Sequence, residues 1–226
     1  MILTIPDVLS GEPLARAQAL LNAAPWVDGK VTAGYQSGKV KSNLQIPEQD
    51  PAAQELGSII LRALENNPLF ISAALPHRVF PPLFNQYSQG HFFGTHVDNA
   101  IRQVTGTPHR IRTDLSATLF FSTPEAYEGG ELCIEDTYGV QSVKLPVGHM
   151  VLYPATSLHH VRPITKGTRT CSFFWIQSMI RSDAERTILF DLDTTIQILN
   201  QENPDSQQPV RLTGIYHNLI RKWAEL

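Results

Sequence analysis

The residues of this chain whose types and spacing could do chemistry are the triplet His96-Val97-Asp98, a second histidine at His159 and an arginine at Arg169. On a strand, positions i and i+2 project from one face, so His96 and Asp98 can share a metal ion, whereas on a helix they would diverge by about 200°. The flanking Phe92-Phe93-Gly94-Thr95 is aromatic and β-branched, which favours the strand and extends it through Asp98. A distant histidine then supplies a third ligand. Two histidines and one carboxylate on one face leave octahedral positions open, the arrangement that suits a non-haem ferrous ion in oxygenation chemistry rather than a closed structural site.

Arg169 bears on what fills the open positions. With Thr165-Lys166-Gly167 as a three-residue hairpin loop, its glycine in the left-handed final position, Arg169 pairs opposite Pro163 on the sheet that carries His159. The offset is about 13 Å of backbone at roughly 3.3 Å per residue, and an extended arginine shortens it. The remaining gap suits a small dicarboxylate, bound to the metal at one end and to the guanidinium fork at the other. His160 competes with His159 for the ligand role, because adjacent strand residues face opposite ways and parity alone does not choose between them. The chain has eight histidines, and His77, His91, His109, His149 and His217 read as structural. Tyr87 and Thr118 are weaker candidates for a cosubstrate pocket, and Phe173 and Trp175 read as core.

The elements that must position these residues follow from hydrophobic period. Residues 2–5 form a short strand. A helix over 13–24 starts at a proline, and residues 26–46 are polar, with short strands and loops. Asp50 and Pro51 open a second helix whose stripe is Leu56, Ile59, Ile60, Ala63 and Leu64, and Asn66-Asn67-Pro68 ends it. Eight strands are then expected at 83–87, 93–98, 115–122, 131–134, 142–145, 150–153, 158–161 and 169–176. Short strands without intervening helices point to a double-sheet jelly roll, a mainly β fold with flanking helices. The polar segment 99–110 follows Asp98 directly, as either a substrate lid or an ordinary connection. Helical period returns at Ile188, Leu189, Leu192, Ile196 and Leu199, then at Leu212, Ile215, Tyr216, Leu219, Ile220 and Trp223. The last stripe needs a partner, either the chain's own sheet, which is favoured, or a second subunit in a homo-oligomer. Three regions result: a support region at 1–77, a jelly-roll core at 78–178 and a C-terminal helical region at 179–226.

The 226 residues carry a net charge of −3, which excludes the basic footprint of a nucleic-acid binder. No run approaches the roughly 20 apolar residues of a membrane span. The first residues lack the basic and apolar segments of a signal peptide. The two cysteines, Cys133 and Cys171, are too few to staple a secreted scaffold and read as buried free thiols, in keeping with a cytoplasmic protein.

Specific stretches carry a family resemblance across nearly the whole chain: Phe84-Asn85-Gln86-Tyr87, residues 96–102, residues 112–120, Gly129-Gly130-Glu131-Leu132, Leu152-Tyr153-Pro154, Ser157-Leu158-His159, Gly167-Thr168-Arg169 and residues 212–219. On these the chain resembles the PKHD-type hydroxylases, bacterial Fe(II)- and 2-oxoglutarate-dependent dioxygenases related to the prolyl 4-hydroxylases, and within them the PiuC group named for iron uptake. The resemblance implies a double-stranded β-helix core, His96, Asp98 and His159 as iron ligands, and Arg169 as the 2-oxoglutarate anchor. It selects His159 over His160, because the ligand follows Ser157-Leu158. Arg169 follows the bacterial group, since prolyl hydroxylases commonly carry lysine there. It further implies O₂ as oxidant, succinate and CO₂ as coproducts, L-ascorbate as the reductant of the iron, and a small-molecule or protein side-chain substrate. A non-catalytic iron or 2-oxo-acid sensor, and a metalloenzyme without the cosubstrate, use the same residues and stay open at this point.

Overall fold

The computed structural model describes residues 1–29 and 41–226; the expected strands and loops of 26–46 therefore lie partly outside the described residues. In chain order, the amino-terminal part holds β1 (Leu3–Ile5), α1 (Gly11–Ala23), β2 (Val27–Asp28), β3 (Lys41–Ser42), β4 (Leu44–Gln45), α2 (Pro51–Glu65) and α3 (Pro68–Ala74). The strands β5 (Pro76–Val79), β6 (Leu83–Ser88), β7 (Phe92–His96), β8 (Ile101–Gln103), β9 (Arg110–Arg112) and β10 (Leu115–Phe120) come next. Then follow β11 (Tyr127–Gly129), β12 (Leu132–Asp136), β13 (Gly139–Val143), β14 (Met150–Pro154), β15 (His159–Val161) and β16 (Ile164–Ser178), with α4 (Asp183–Glu202) and α5 (Gln208–Trp223) closing the chain.

Two antiparallel sheets form the core. The larger has nine strands, with β1-β14-β10-β16-β6-β4-β2 as its path and β5 and β11 also paired to β16; the smaller is β13-β12-β15-β7-β3. The fold is the mainly β jelly roll with helices outside it. Residues 1–77 add edge strands to both sheets, β1 against β14, β4 against β6 and β3 against β7.

Strand alternation sorts the side chains of the larger sheet. Leu115, Ala117 and Leu119 of β10, Met150 and Leu152 of β14, and Phe174 and Ile176 of β16 pack with Ala17 and Leu21 of α1 and Leu56, Ile60 and Leu64 of α2. The alternate positions, among them Tyr87, Phe120, Val151, Tyr153 and Cys171, meet Leu132, Ile134 and Val161 of the smaller sheet. All six residues of β10 are buried, Leu115, Ala117 and Leu119 against the helices and Ser116 and Thr118 among those turned toward the smaller sheet.

The helices begin where short polar side chains close them. Asp50 accepts from the Ala52 amide at 2.8 Å, with Pro51 in the first turn of α2. Asn67 likewise accepts from Phe70 at 2.9 Å and starts α3, a helix absent from the expected set: Asn66-Asn67-Pro68 ends one helix and opens the next.

Four further expectations are corrected. The hairpin at Thr165-Lys166-Gly167 does not form: β16 runs unbroken from Ile164 to Ser178, and its start pairs with β11, Tyr127 opposite Gly167. The chain changes sheets at Arg162-Pro163 instead, so His159 and Arg169 stand on different sheets. The strand carrying His96 stops there, and Asp98 lies beyond its end. The segment 99–110 is mostly the hairpin of β8 and β9, Ile101 opposite Arg112, rather than a loop. The stripe of α5 packs away from the strands: Tyr216, Leu219, Ile220 and Trp223 gather around Leu75, Ile180 and Leu189.

Candidate functional site

β7 and β15 are neighbours in the smaller sheet, with His96 directly opposite His159. Cross-strand partners sit close enough for their side chains to interact, and the two imidazole centroids are 4.2 Å apart. Asp98 turns back from the end of β7, so that one donor atom from each of His96, Asp98 and His159 lies within 4.8 Å of the others. His159 is inside and 5% exposed. Strand alternation sends the neighbouring His160 to the opposite face.

Each ring is held in one orientation. Nδ1 of His96 is 2.8 Å from the Gly94 carbonyl and Nδ1 of His159 is 3.0 Å from the Ser157 carbonyl. A carbonyl can only accept, so both protons sit on Nδ1 and both Nε2 lone pairs face the centre. Phe93 stacks on His96 with centroids 3.7 Å apart, and Tyr153 meets His159 edge-on at 5.3 Å. Burial, with the facing His159 imidazole adding to it, holds the His96 pKa down at about 4, so the ring is neutral at pH 7 and available as a ligand. The Ser116 hydroxyl donates to Asp98 Oδ2 at 2.6 Å, and the same oxygen lies 3.8 Å from His159 Nε2.

The opposite wall is the inward face of the larger sheet. Arg169 pairs across β6 with Tyr87, and its guanidinium carbon lies 5.5 Å from the Tyr87 ring and 5.2 Å from that of Phe120. It is 1% exposed, its Nε has no hydrogen-bond partner, and no described carboxylate forms an ion pair with it. A cation removed from water without a counter-charge is costly, so this position is suited to an incoming anion. Burial pushes the Tyr87 hydroxyl up to about 12, which keeps it neutral and unable to serve as that anion.

Arg169 and the three donors open onto one cavity between the sheets, with about 840 Å³ of empty space including its mouth. Tyr87 and Thr118 line it as expected, and so do Phe173 and Trp175, which sequence reading assigned to core alone. Trp175 is buried, yet its inward parity on β16 brings it to the cavity as well. Lining residues that the sequence did not single out include Ser116, Tyr153, Lys41 and Arg102. For Ser116 a signal existed, because its even position on β10 places it on the inward face with Thr118. Burial, and next the nearby Arg102, lower the Lys41 ammonium to about 8.

Residues 82–177 match the family model for the 2OG-Fe(II) oxygenase superfamily, and residues 183–225 match the PKHD-type hydroxylase C-terminal domain. A PKHD-type hydroxylase from Saccharophagus degradans is 62% identical over 225 residues, covering 100% of both chains. The PKHD-type hydroxylase PiuC of Pseudomonas aeruginosa is 57% identical over 226 residues, again covering 100% of each. The crystal structure of a Pseudomonas putida prolyl-4-hydroxylase, 18% identical, superposes with a TM-score of 0.52 over 78% of this chain and 92% of that one, a likeness of fold. With its whole length matched at such identity, the chain belongs to the PKHD-type hydroxylase family and is a 2-oxoglutarate-dependent oxygenase.

Proposed function

We propose that His96, Asp98 and His159 hold Fe(II), that Arg169 binds the far carboxylate of 2-oxoglutarate, and that the site hydroxylates an unactivated C–H bond of a small molecule or protein side chain. The observation that carries this reading is three convergent donors sharing one cavity with a buried arginine that forms no ion pair with any described carboxylate. The donor set fits ferrous iron: two neutral imidazoles and a carboxylate, all nitrogen and oxygen ligands with room left beside them. Ferrous iron, when bound, supplies the oxidising chemistry with dioxygen and the 2-oxo acid, and the balanced reaction yields the alcohol, succinate and CO₂.

The chain's own residues do the positioning. The Gly94 and Ser157 carbonyls fix both imidazoles, Ser116 fixes the carboxylate, and Tyr87 and Phe120 support the Arg169 fork. A planar guanidinium meets a carboxylate through two parallel hydrogen bonds, which sets the cosubstrate's direction as well as its affinity. Phe93, Tyr153, Phe173 and Trp175 give the cavity an aromatic lining beside the polar groups.

The same reading carries a link to iron uptake, from the resemblance to the PiuC group, a cytoplasmic setting, from the two free cysteines, and L-ascorbate as the reductant that keeps the iron ferrous. Among the described residues, no helix is long and apolar enough to cross a membrane. Within this reading, 78–178 carries the reaction while 1–77 and 179–226 support it. The test is succinate release from labelled 2-oxoglutarate under air, with iron and a broad substrate panel. Release that requires both iron and Arg169 supports the proposal; no release under any iron supply overturns it.

A further inference from the structure

Beyond the metal and keto-acid residues, two further cations line the cavity, Lys41 and Arg102, and the setting of Arg102 calls for a partner. Arg102 lies on β8, the first strand of the hairpin that follows Asp98. Its guanidinium carbon is 4.3 Å from the Trp175 ring centroid and 5.3 Å from that of Phe80. The two rings meet edge-on with centroids 5.4 Å apart and are 5% and 1% exposed, so the platform under the arginine is itself packed in place. Stacking satisfies the flat faces of a guanidinium and leaves its N–H edge available. Arg102 lines the cavity with Asp98 and Arg169, yet no described carboxylate forms an ion pair with it. Glu48 and Asp98 act on it only through space, and the Thr105 hydroxyl donates to the Glu48 carboxylate at 2.6 Å.

Charge bookkeeping, which rests on the function proposed above, sharpens the point. The dication, the Asp98 carboxylate, the doubly charged keto acid and the Arg169 guanidinium sum to zero. Lys41 lines the same cavity and is attracted by Asp28, and Arg102 is left as a positive charge on the cavity wall with no described carboxylate in an ion pair to it. We propose that Arg102 anchors the primary substrate, and that this substrate carries a carboxylate or an equivalent anion seated on the guanidinium edge above Trp175. Such a group is found either on a small organic acid or on an acidic side chain of a protein. The hairpin that carries Arg102 then acts as a specificity element rather than as a plain connection.

The experiment uses the full chain with Fe(II), 2-oxoglutarate and isotopically labelled dioxygen, incubated separately with the small-molecule and the protein fractions of a cell extract. Mass spectrometry should find label in compounds retained by an anion exchanger, or in peptides with an acidic residue at or beside the labelled position; the fraction that carries the label identifies the source. Arg102→Gln should lower that product by about tenfold or more, the effect of losing one charge-assisted contact, and Arg102→Lys should recover part of it. Thermal stabilisation by Mn(II) plus 2-oxoglutarate should be the same in wild type and both variants, which checks folding and the cosubstrate site without turnover. Label confined to neutral or basic compounds, undiminished product with Arg102→Gln, loss of the Mn(II) and 2-oxoglutarate stabilisation in the variants alone, or no labelled product in either fraction overturns the proposal. Absence of that stabilisation in the wild type would instead count against the metal and keto-acid assignment beneath it.

Discussion

The Asp98 carboxylate is the one member of the triad that lies beyond the end of its strand, and the Ser116 hydroxyl holds it at 2.6 Å. Both imidazoles, by contrast, are tied to backbone carbonyls of their own strand or turn. Ser116→Ala should therefore weaken metal binding by roughly 10- to 100-fold, the usual effect of losing a partner that orients a ligand. Its stability cost should be about 1.5 to 3 kcal/mol, one hydrogen bond to a charged acceptor. Anaerobic titration with Fe(II) or Co(II) measures the first and urea unfolding the second, and an unchanged metal affinity would show that Asp98 is held in some other way. Arg169→Ala makes the complementary prediction. Metal affinity should stay near that of the wild type, while the stabilisation that 2-oxoglutarate adds to the metal-loaded protein, about 2.7 kcal/mol at a hundred times Kd, should vanish at the same concentration. At this scale the sequence was informative about His96 and Asp98 through their spacing, while the choice of His159 over His160 came from the family resemblance and the spacing argument for Arg169 rested on a hairpin that does not form. Ser116 was missed because a serine on a buried strand is not distinctive until the residue it faces is known.

At the scale of elements, β16 shows where reading by local pattern fails. Gly167 was expected in the left-handed region, and its φ is 75°, but the cause is different. It is not a turn residue; β11 approaches so closely that a Cβ at 167 would run into the Ala126 carbonyl. A hairpin is a local event that a few residues specify. Close approach by a strand some 40 residues upstream is not, so the sequence was consistent with the wrong turn. That error placed Arg169 on the sheet of His159, whereas the two face each other across the sandwich. The α2 start was legible because Asp50 and Pro51 act locally, and α3 was missed because Asn67-Pro68 serves equally as a stop and a start. Gly167→Ala combines an unfavourable φ with a backbone clash and should cost about 2 kcal/mol or more in urea unfolding. Because Arg169 is two residues away, the variant should also need more 2-oxoglutarate for half-maximal stabilisation. A neutral effect on both would mean that the β11 contact yields easily.

For the whole molecule, the question is how far the C-terminal helices are part of the core they flank. The Met1 ammonium lies 2.6 Å from Asp183 at the start of α4, and Arg112 joins Asp114 to Glu225 beyond the end of α5. Asp114 Oδ2 in turn accepts from the Ser178 amide at 2.9 Å, where β16 gives way to the helical region. These contacts link both chain ends to the strands that build the cavity, although exposed ion pairs on their own contribute little. The apolar contribution is larger: Tyr216, Leu219, Ile220 and Trp223 of α5 partly cover Leu75, Ile180 and Leu189. A fully buried side chain of this size is worth about 1.5 to 3 kcal/mol, and a partly buried one roughly half that. Ending the chain after Gln207 should then cost on the order of 4 kcal/mol and expose the Leu75–Ile180 surface to association. Urea unfolding and sedimentation of the shortened chain test both consequences. The proposed metal centre lies between the two sheets and none of its proposed donors comes from the helices, so whatever fraction of the shortened chain remains folded should bind Fe(II) with near wild-type affinity. A folded but metal-deaf truncation would mean that α5 positions the site through the strands it braces, and that the C-terminal region belongs to the catalytic unit.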